Sequence, residues 1–145
     1  MRENALDCLP HQPPFRFVDE ILEIKPGVWA TGLWRVAERD GFFQGHFPGQ
    51  PIVPGVLLAE ALAQVAGVVA FAGSETRADA PALLAQVNVK FLSRVSPPAE
   101  ILLEATLVRE MSGLFLFDVR ASVLGVSAAA GSLVLARATP ERGKE

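Results

Sequence analysis

Val56–Phe71 is built almost entirely from Ala, Val and Leu, with Glu60 and Gln64 as its only strongly polar side chains. A helix apolar on all sides is one surrounded by protein rather than lying on a surface. The wider run Val53–Ala72 approaches membrane-spanning length. Glu60 and Gln64 sit in its middle and Pro and Gly open it, so it reads as a core helix and not as a span. The chain has 145 residues, which fits one domain with a sizeable core over 1–145 and leaves little room for a second.

The rest of the chain must supply what surrounds that helix. Phe15–Ile24 mixes apolar and charged residues and ends at the turn signal Lys25-Pro26-Gly27. Val28–Val36 carries Trp29, Thr31 and Trp34, and the two segments read as early strands, a hairpin pair. Pro48, Pro51 and Pro54 exclude regular structure just before the helix, which begins close to Pro54 or Gly55 because proline is tolerated in a first turn. Gly73–Pro81 reads as a polar loop. Four strand-like segments follow, near Leu83–Phe91, Glu100–Glu110, Leu114–Leu124 and Ala128–Ala138. In the third, Phe115, Phe117, Val119, Ala121 and Val123 share one face, with Asp118, Arg120 and Ser122 on the other. Met111-Ser112-Gly113 is a hairpin-turn candidate, Ser96-Pro97-Pro98 breaks the chain before the second segment, and 140–145 is expected to be a frayed tail. Two strands, one buried helix and four more strands fit an α+β fold: a six-stranded antiparallel sheet wrapped around one long central helix.

Composition excludes several functions. The formal net charge is −3, which does not favour nucleic acid as a partner. The single cysteine, Cys8, rules out an internal disulfide framework and points to a reducing, cytoplasmic compartment. The acidic and polar N-terminus lacks the pattern of a signal peptide. No phosphate-binding glycine loop, zinc-type Cys/His spacing or repeat is visible. Half of the residues are hydrophobic and the mean hydropathy is +0.32, so some apolar surface is expected to be covered by a partner subunit.

The chemistry-bearing residues gather around the start of the helix. Gly45-His46-Phe47-Pro48-Gly49-Gln50-Pro51-Ile52-Val53-Pro54-Gly55 holds one of the two histidines in a Gly/Pro-locked loop, and Glu60 lies fourteen residues beyond it. A neutral imidazole at His46 suits a base near neutral pH. Burial of Glu60 would favour its protonated, proton-donating form. Gln64 is spaced i, i+4 from Glu60 and can hold its rotamer. Gly55 is placed where backbone N–H groups lack intrahelical partners and the helix dipole is positive, and without a side chain it lets a carbonyl oxygen approach. Base, oxyanion donor and acid together fit removal of a proton α to a thioester carbonyl and loss of a β-hydroxyl, which needs no metal or organic cofactor. His11 reads as a brace within its proline-rich loop and Cys8 as inert. Lys90 and Arg94 could meet an acidic carrier, with scattered surface charge as the plainer account.

Phe42 through Leu57, followed by Glu60-Ala61-Leu62-Ala63-Gln64, resembles the hot-dog-fold 3-hydroxyacyl-acyl-carrier-protein dehydratases of type II fatty acid synthesis, the FabZ family. Leu9-Pro10-His11-Gln12-Pro13-Pro14-Phe15-Arg16-Phe17-Val18-Asp19 is similar to that family's N-terminal signature. The resemblance implies a single hot-dog domain, His46 as base, Glu60 as acid and the Gly55 N–H on the thioester carbonyl. It also implies a homodimer in which each site takes His46 from one subunit and Glu60 from the other, often assembled as a trimer of dimers. The substrate would be a thioester of acyl carrier protein or of coenzyme A. Beyond the helix, Lys90-Phe91, Ser93-Arg94-Val95 and Pro97-Pro98-Ala99 depart from the family pattern, which leaves carrier and pathway open. A dehydratase that also isomerises its product carries Asp in place of Glu60. A hot-dog thioesterase would release free thiol, and a non-catalytic acyl-binding protein would bind without turnover.

Overall fold

The computed structural model describes residues 2–72 and 82–137. The expected loop over 73–81 and the expected tail over 140–145 lie outside the described residues. Strands β1 (Glu20–Lys25) and β2 (Trp29–Val36) precede helix α1 (Gly55–Phe71). Strands β3 (Ala82–Phe91), β4 (Ala99–Met111), β5 (Leu114–Val123) and β6 (Val126–Arg137) follow it. Short 3-10 helices occupy Arg2–Cys8 and Gly41–Gln44. All six strands form one antiparallel sheet in the order β1-β2-β4-β5-β6-β3. This is the sheet around one helix anticipated from the strand and helix pattern, and the hot-dog arrangement that the family resemblance implies.

The sheet encloses α1. Ala61, Leu62, Val65, Ala66, Val68 and Val69 have no exposed surface, and the helix packs chiefly against β4 and β2. Each such Leu or Val contributes roughly 1.5–3 kcal/mol relative to leaving it in water. The facing residues come from alternate positions of the central strands: Ile101, Leu103 and Ala105 of β4, and Phe115, Phe117, Val119 and Ala121 of β5, are buried. The alternation anticipated for β5 holds as far as Ala121. Ser122, expected on the outer face, is also buried, at the point where the β5–β6 register skips Ala128 of β6. The extra residue lies on β6, where the successive residues Ala128 and Ala129 are both buried.

The first expected strand is shorter than its pattern suggested, since pairing with β2 begins at Glu20 and not at Phe15. The physical reason is local. The Phe17 N–H and the Phe15 carbonyl bond the side chain of Gln64 instead of a neighbouring strand. Two tight hairpins join the last strands. Ser112 and Gly113 take φ of 52° and 83°, and Leu124 and Gly125 take 50° and 83°. Consecutive positive φ values are those of a type I′ turn, whose twist matches the flanking strands. Only the first of these turns was evident in the sequence.

The edge strand β3 crosses β6 at a point where side chains are excluded. A Cβ on Gly131 would stand 2.1 Å from the Asn88 carbonyl oxygen and 2.8 Å from Val89 Cα. These are backbone atoms, so relief requires the two strands to separate. Gly131→Ala is therefore expected to lower unfolding stability by about 2–3 kcal/mol or more. Gly125→Ala, at positive φ but with nothing within 4 Å of its Cβ, should cost only about 1–2 kcal/mol. Urea midpoints of the two variants check the order, and a Gly131→Ala loss equal to or below that of Gly125→Ala would contradict it.

Candidate active site

The loop carrying His46 is closed by its own backbone. His46 O accepts the Ile52 N–H at 3.0 Å, and the Gln50 N–H bonds Phe47 O at 2.8 Å. The Val53 N–H then bonds Val95 O at 2.8 Å, which ties the loop to the chain leaving β3. The His46 ring stacks on Phe47 with centroids 4.0 Å apart. His46 Nδ1 lies 2.8 Å from Ile52 O. A carbonyl can only accept, so Nδ1 carries the proton and the neutral ring presents its lone pair at Nε2.

Helix α1 starts where that loop ends. Its N-cap, Pro54, supplies no side-chain cap. Pro54 O accepts from Leu57 and Leu58, and the Gly55 N–H meets no acceptor among the described residues. The first helical N–H groups are free donors at the positive end of the helix dipole. His46, Ile52, Gly55, Leu58, Phe91 and Arg94 are among the residues lining a cavity of about 460 Å³. A Cβ on Gly55 would meet the Phe91 ring at 3.1 Å, so the glycine also keeps that ring close to the helix start.

Glu60 does not line this cavity. Five residues of helix turn a side chain by about 140° and advance it by about 7.5 Å, so Gly55 and Glu60 face different directions. Instead, Glu60 Oε2 receives the Gln64 Nε2–H at 3.0 Å and lies 3.4 Å from His11 Nε2. Its side chain keeps 20% exposure. Gln64, 1% exposed, is fully committed: Oε1 accepts the Phe17 N–H at 2.8 Å, and Nε2 also donates to Phe15 O at 3.0 Å. These backbone partners fix which end of the amide is nitrogen. Gln64 can therefore only donate toward Glu60, so a protonated Glu60 carries its hydrogen on Oε1.

The four residues singled out in the sequence thus fall into two groups within one chain. His46 and Gly55 share a cavity, while Glu60 and Gln64 form a hydrogen-bonded pair elsewhere on the helix. The pairing of Gln64 with Glu60 follows the i, i+4 expectation. Sequence reasoning missed the contact between His11 and Glu60. The brace expected of His11 is present as well: its carbonyl accepts Arg16 Nε–H at 3.0 Å, and its ring stacks near Phe15. Cys8 is buried, with Sγ 3.0 Å from Ala5 O. Arg94 is exposed at the cavity wall and Lys90 is exposed on β3.

Fold and site together describe an α+β hot-dog protein with an imidazole and an uncapped helix start in one cavity. A family model for the FabA-like domain matches residues 9–131, and the chain belongs to that family. It is 42% identical over 132 residues to the 3-hydroxyacyl-acyl-carrier-protein dehydratase FabZ of Geotalea uraniireducens, covering 90% of this chain and 91% of the relative. It is 40% identical over 130 residues to the FabZ of Acetivibrio thermocellus, covering 90% and 89%. Among solved structures, the dehydratase heterocomplex ApeI:P of Xenorhabdus doucetiae matches with a TM-score of 0.78 at 17% identity, covering 96% of this chain and 94% of that one. At that identity the likeness is one of fold.

The Gln64 amide joins α1 to the segment before β1, so its loss should be costly. Gln64→Leu strands the Phe17 N–H and the Phe15 carbonyl away from their partner. At about 1–3 kcal/mol for each buried group left unsatisfied, stability should fall by about 2–6 kcal/mol. Chemical denaturation measures this, and a change below about 0.5 kcal/mol would show that the amide is not a tether.

Proposed function

We propose that this chain is a hydro-lyase that dehydrates 3-hydroxyacyl thioesters on acyl carrier protein to trans-2-enoyl thioesters, in fatty acid or related acyl-chain biosynthesis. The observation that carries the reading is the bond from His46 Nδ1 to Ile52 O, which leaves Nε2 as an acceptor in the cavity that also holds the Gly55 N–H. The extensive likeness to FabZ dehydratases supports the same chemistry.

In this mechanism the thioester carbonyl oxygen accepts the Gly55 N–H. His46 Nε2 takes the α-proton, and the C–H electrons move into an enolate whose charge develops at that oxygen, where a preorganised donor is worth most. The enolate re-forms the carbonyl, the α–β double bond forms and the C–O bond at the β-carbon breaks. Glu60 Oε1–H protonates the departing hydroxyl, so water leaves. His46 then holds one proton more and Glu60 one fewer, and transfer through solvent restores both.

We assign Glu60 to the site of a second copy of the chain. Two observations support a dimer with shared sites. Glu60 is absent from the cavity of its own chain. Edge strand β3 is exposed along nearly its whole length, with Leu83, Leu84, Val87 and Phe91 open to solvent. An unpaired, apolar edge is a template for pairing with another strand.

His46→Ala and Glu60→Gln should each slow dehydration of a 3-hydroxyacyl-acyl-carrier-protein by at least about a hundredfold, with folding intact. Mixing the two inactive proteins should restore activity after subunit exchange, because a mixed dimer contains one site with both native groups. Mass spectrometry of the acyl thioester follows water loss directly. Release of free thiol without water loss would make the protein a thioesterase, and full activity in a monomer would overturn the shared site.

A further inference from the structure

His11 lies outside the proposed chemistry, yet its ring reaches the acid. Two contacts account for its role in the loop. Its carbonyl takes the Arg16 Nε–H, and its ring face lies 6.1 Å from that of Phe15 at an interplanar angle of 29°. Neither needs an imidazole nitrogen, so an aromatic hydrocarbon would serve as well. What requires histidine is the edge that faces Glu60.

That edge has a defined protonation pattern. Nδ1 is buried and meets no hydrogen-bond partner among the described residues, so a proton there would have no acceptor. The neutral ring therefore carries its proton on Nε2, 3.4 Å from Glu60 Oε2. That distance is long for a hydrogen bond, and contacts in an empty site often tighten when substrate is bound. Gln64 Nε2 donates to the same oxygen. Oε2 thus faces two N–H donors from different elements, one on α1 and one on the loop before β1.

From this arrangement we infer that His11 is a positioning residue for Glu60, a reading that rests on Glu60 being the acid. With Gln64 alone, the carboxyl can rotate about its last bond and lose its alignment. A second donor on Oε2 fixes the plane of the group and keeps the acidic hydrogen on Oε1. Once that hydrogen has gone to the leaving hydroxyl, the same two donors meet a full negative charge, and hydrogen bonds to a charged group are the stronger kind. His11 therefore acts on the step in which the C–O bond breaks, and not on substrate binding.

Two variants separate this role from bracing. His11→Phe keeps an aromatic ring against Phe15 and removes the donor. His11→Gln loses the ring and keeps an N–H2 group close to the place of Nε2. Positioning predicts that His11→Phe lowers kcat about ten- to hundredfold with KM within about twofold, while His11→Gln stays within about threefold of the native rate. It also predicts no further loss when His11→Phe is added to Glu60→Gln. A brace predicts the reverse order of the two variants, and an equal loss in both backgrounds. Either result overturns the inference.

A second readout does not depend on turnover. The chain has only two histidines, so their imidazole 15N resonances are readily assigned by substitution. His11 is expected as the Nε2–H tautomer, with a resonance displaced by Glu60→Gln, and His46 as the Nδ1–H tautomer. A His11 ring protonated at Nδ1, or indifferent to Glu60→Gln, would end the proposal even if His11→Phe failed to fold. Absence of native turnover with the displaced resonance intact would instead refute the dehydratase reading and leave the His11–Glu60 pair standing. Loss of activity in Glu60→Gln but not in His11→Phe would do the opposite.

Discussion

A seventeen-residue helix enclosed on almost every side by a single sheet places severe demands on both. Covering a cylinder with a sheet requires the sheet to curl, and strands can curl only where they are allowed to bend. Register shifts occur in the β1–β2, β4–β5, β5–β6 and β3–β6 pairs. Such irregularities raise local twist and turn the strands around what they enclose. Gly131 and Gly32 remove side chains where crowding would otherwise hold the layers apart: a Cβ on Gly32 would stand 3.0 Å from the Val65 side chain of α1. The enclosure of α1 thus accounts for the curvature, the bulges and the glycines together.

The same enclosure makes any polar group on α1 costly unless it is fully paired. Gln64 meets that condition through two backbone groups and one side chain. In doing so it draws Phe15–Phe17 away from strand pairing and against the helix. From there, aromatic packing continues outward. Phe15 meets Phe17 edge-on at 4.9 Å, Phe17 meets Trp34 at 5.3 Å, and Trp34 meets Phe42 at 6.3 Å. Phe42 and Phe43 lead directly into the loop that carries His46. The segment bonded to Gln64 and the loop holding His46 are therefore packed into one continuous aromatic layer, although Glu60 does not line the cavity that His46 lines.

Much of this was legible in the chain because it rests on local rules. The helix announced itself through Pro54-Gly55 followed by sixteen residues with only two polar side chains. Four of the strands appeared with ends close to those observed, since apolar alternation and turn residues mark them. The i, i+4 pairing of Glu60 and Gln64 needed only helical geometry. What could not be read depends on contacts across the chain. Phe15–Val18 has the composition of a strand, and only the distant Gln64 amide decides otherwise. Ser122 is polar and lies in phase with the outer face, yet it is buried beside the register shift between β5 and β6. Leu124-Gly125 carries a weak turn signature, because a leucine is an unusual residue for positive φ. The contact between His11 and Glu60 joins residues forty-nine positions apart, and no periodicity connects them.

Both halves of the site are settled by backbone groups, and this bears on how reliably they act. A side chain can change its hydrogen-bonding role by rotating or titrating, whereas a backbone carbonyl only accepts and a backbone N–H only donates. Ile52 O decides the tautomer of His46, and the Phe17 N–H with Phe15 O decides the orientation of the Gln64 amide. That amide in turn decides which oxygen of Glu60 is the acceptor. Each decision passes from an element whose role cannot switch to a side chain whose role could. The free acceptor at Nε2 of a neutral His46, and the oxygen of Glu60 left open when Oε2 takes the Gln64 amide, are thus set by the trace of the main chain. Preorganisation of this kind carries no reorganisation cost at the moment of reaction.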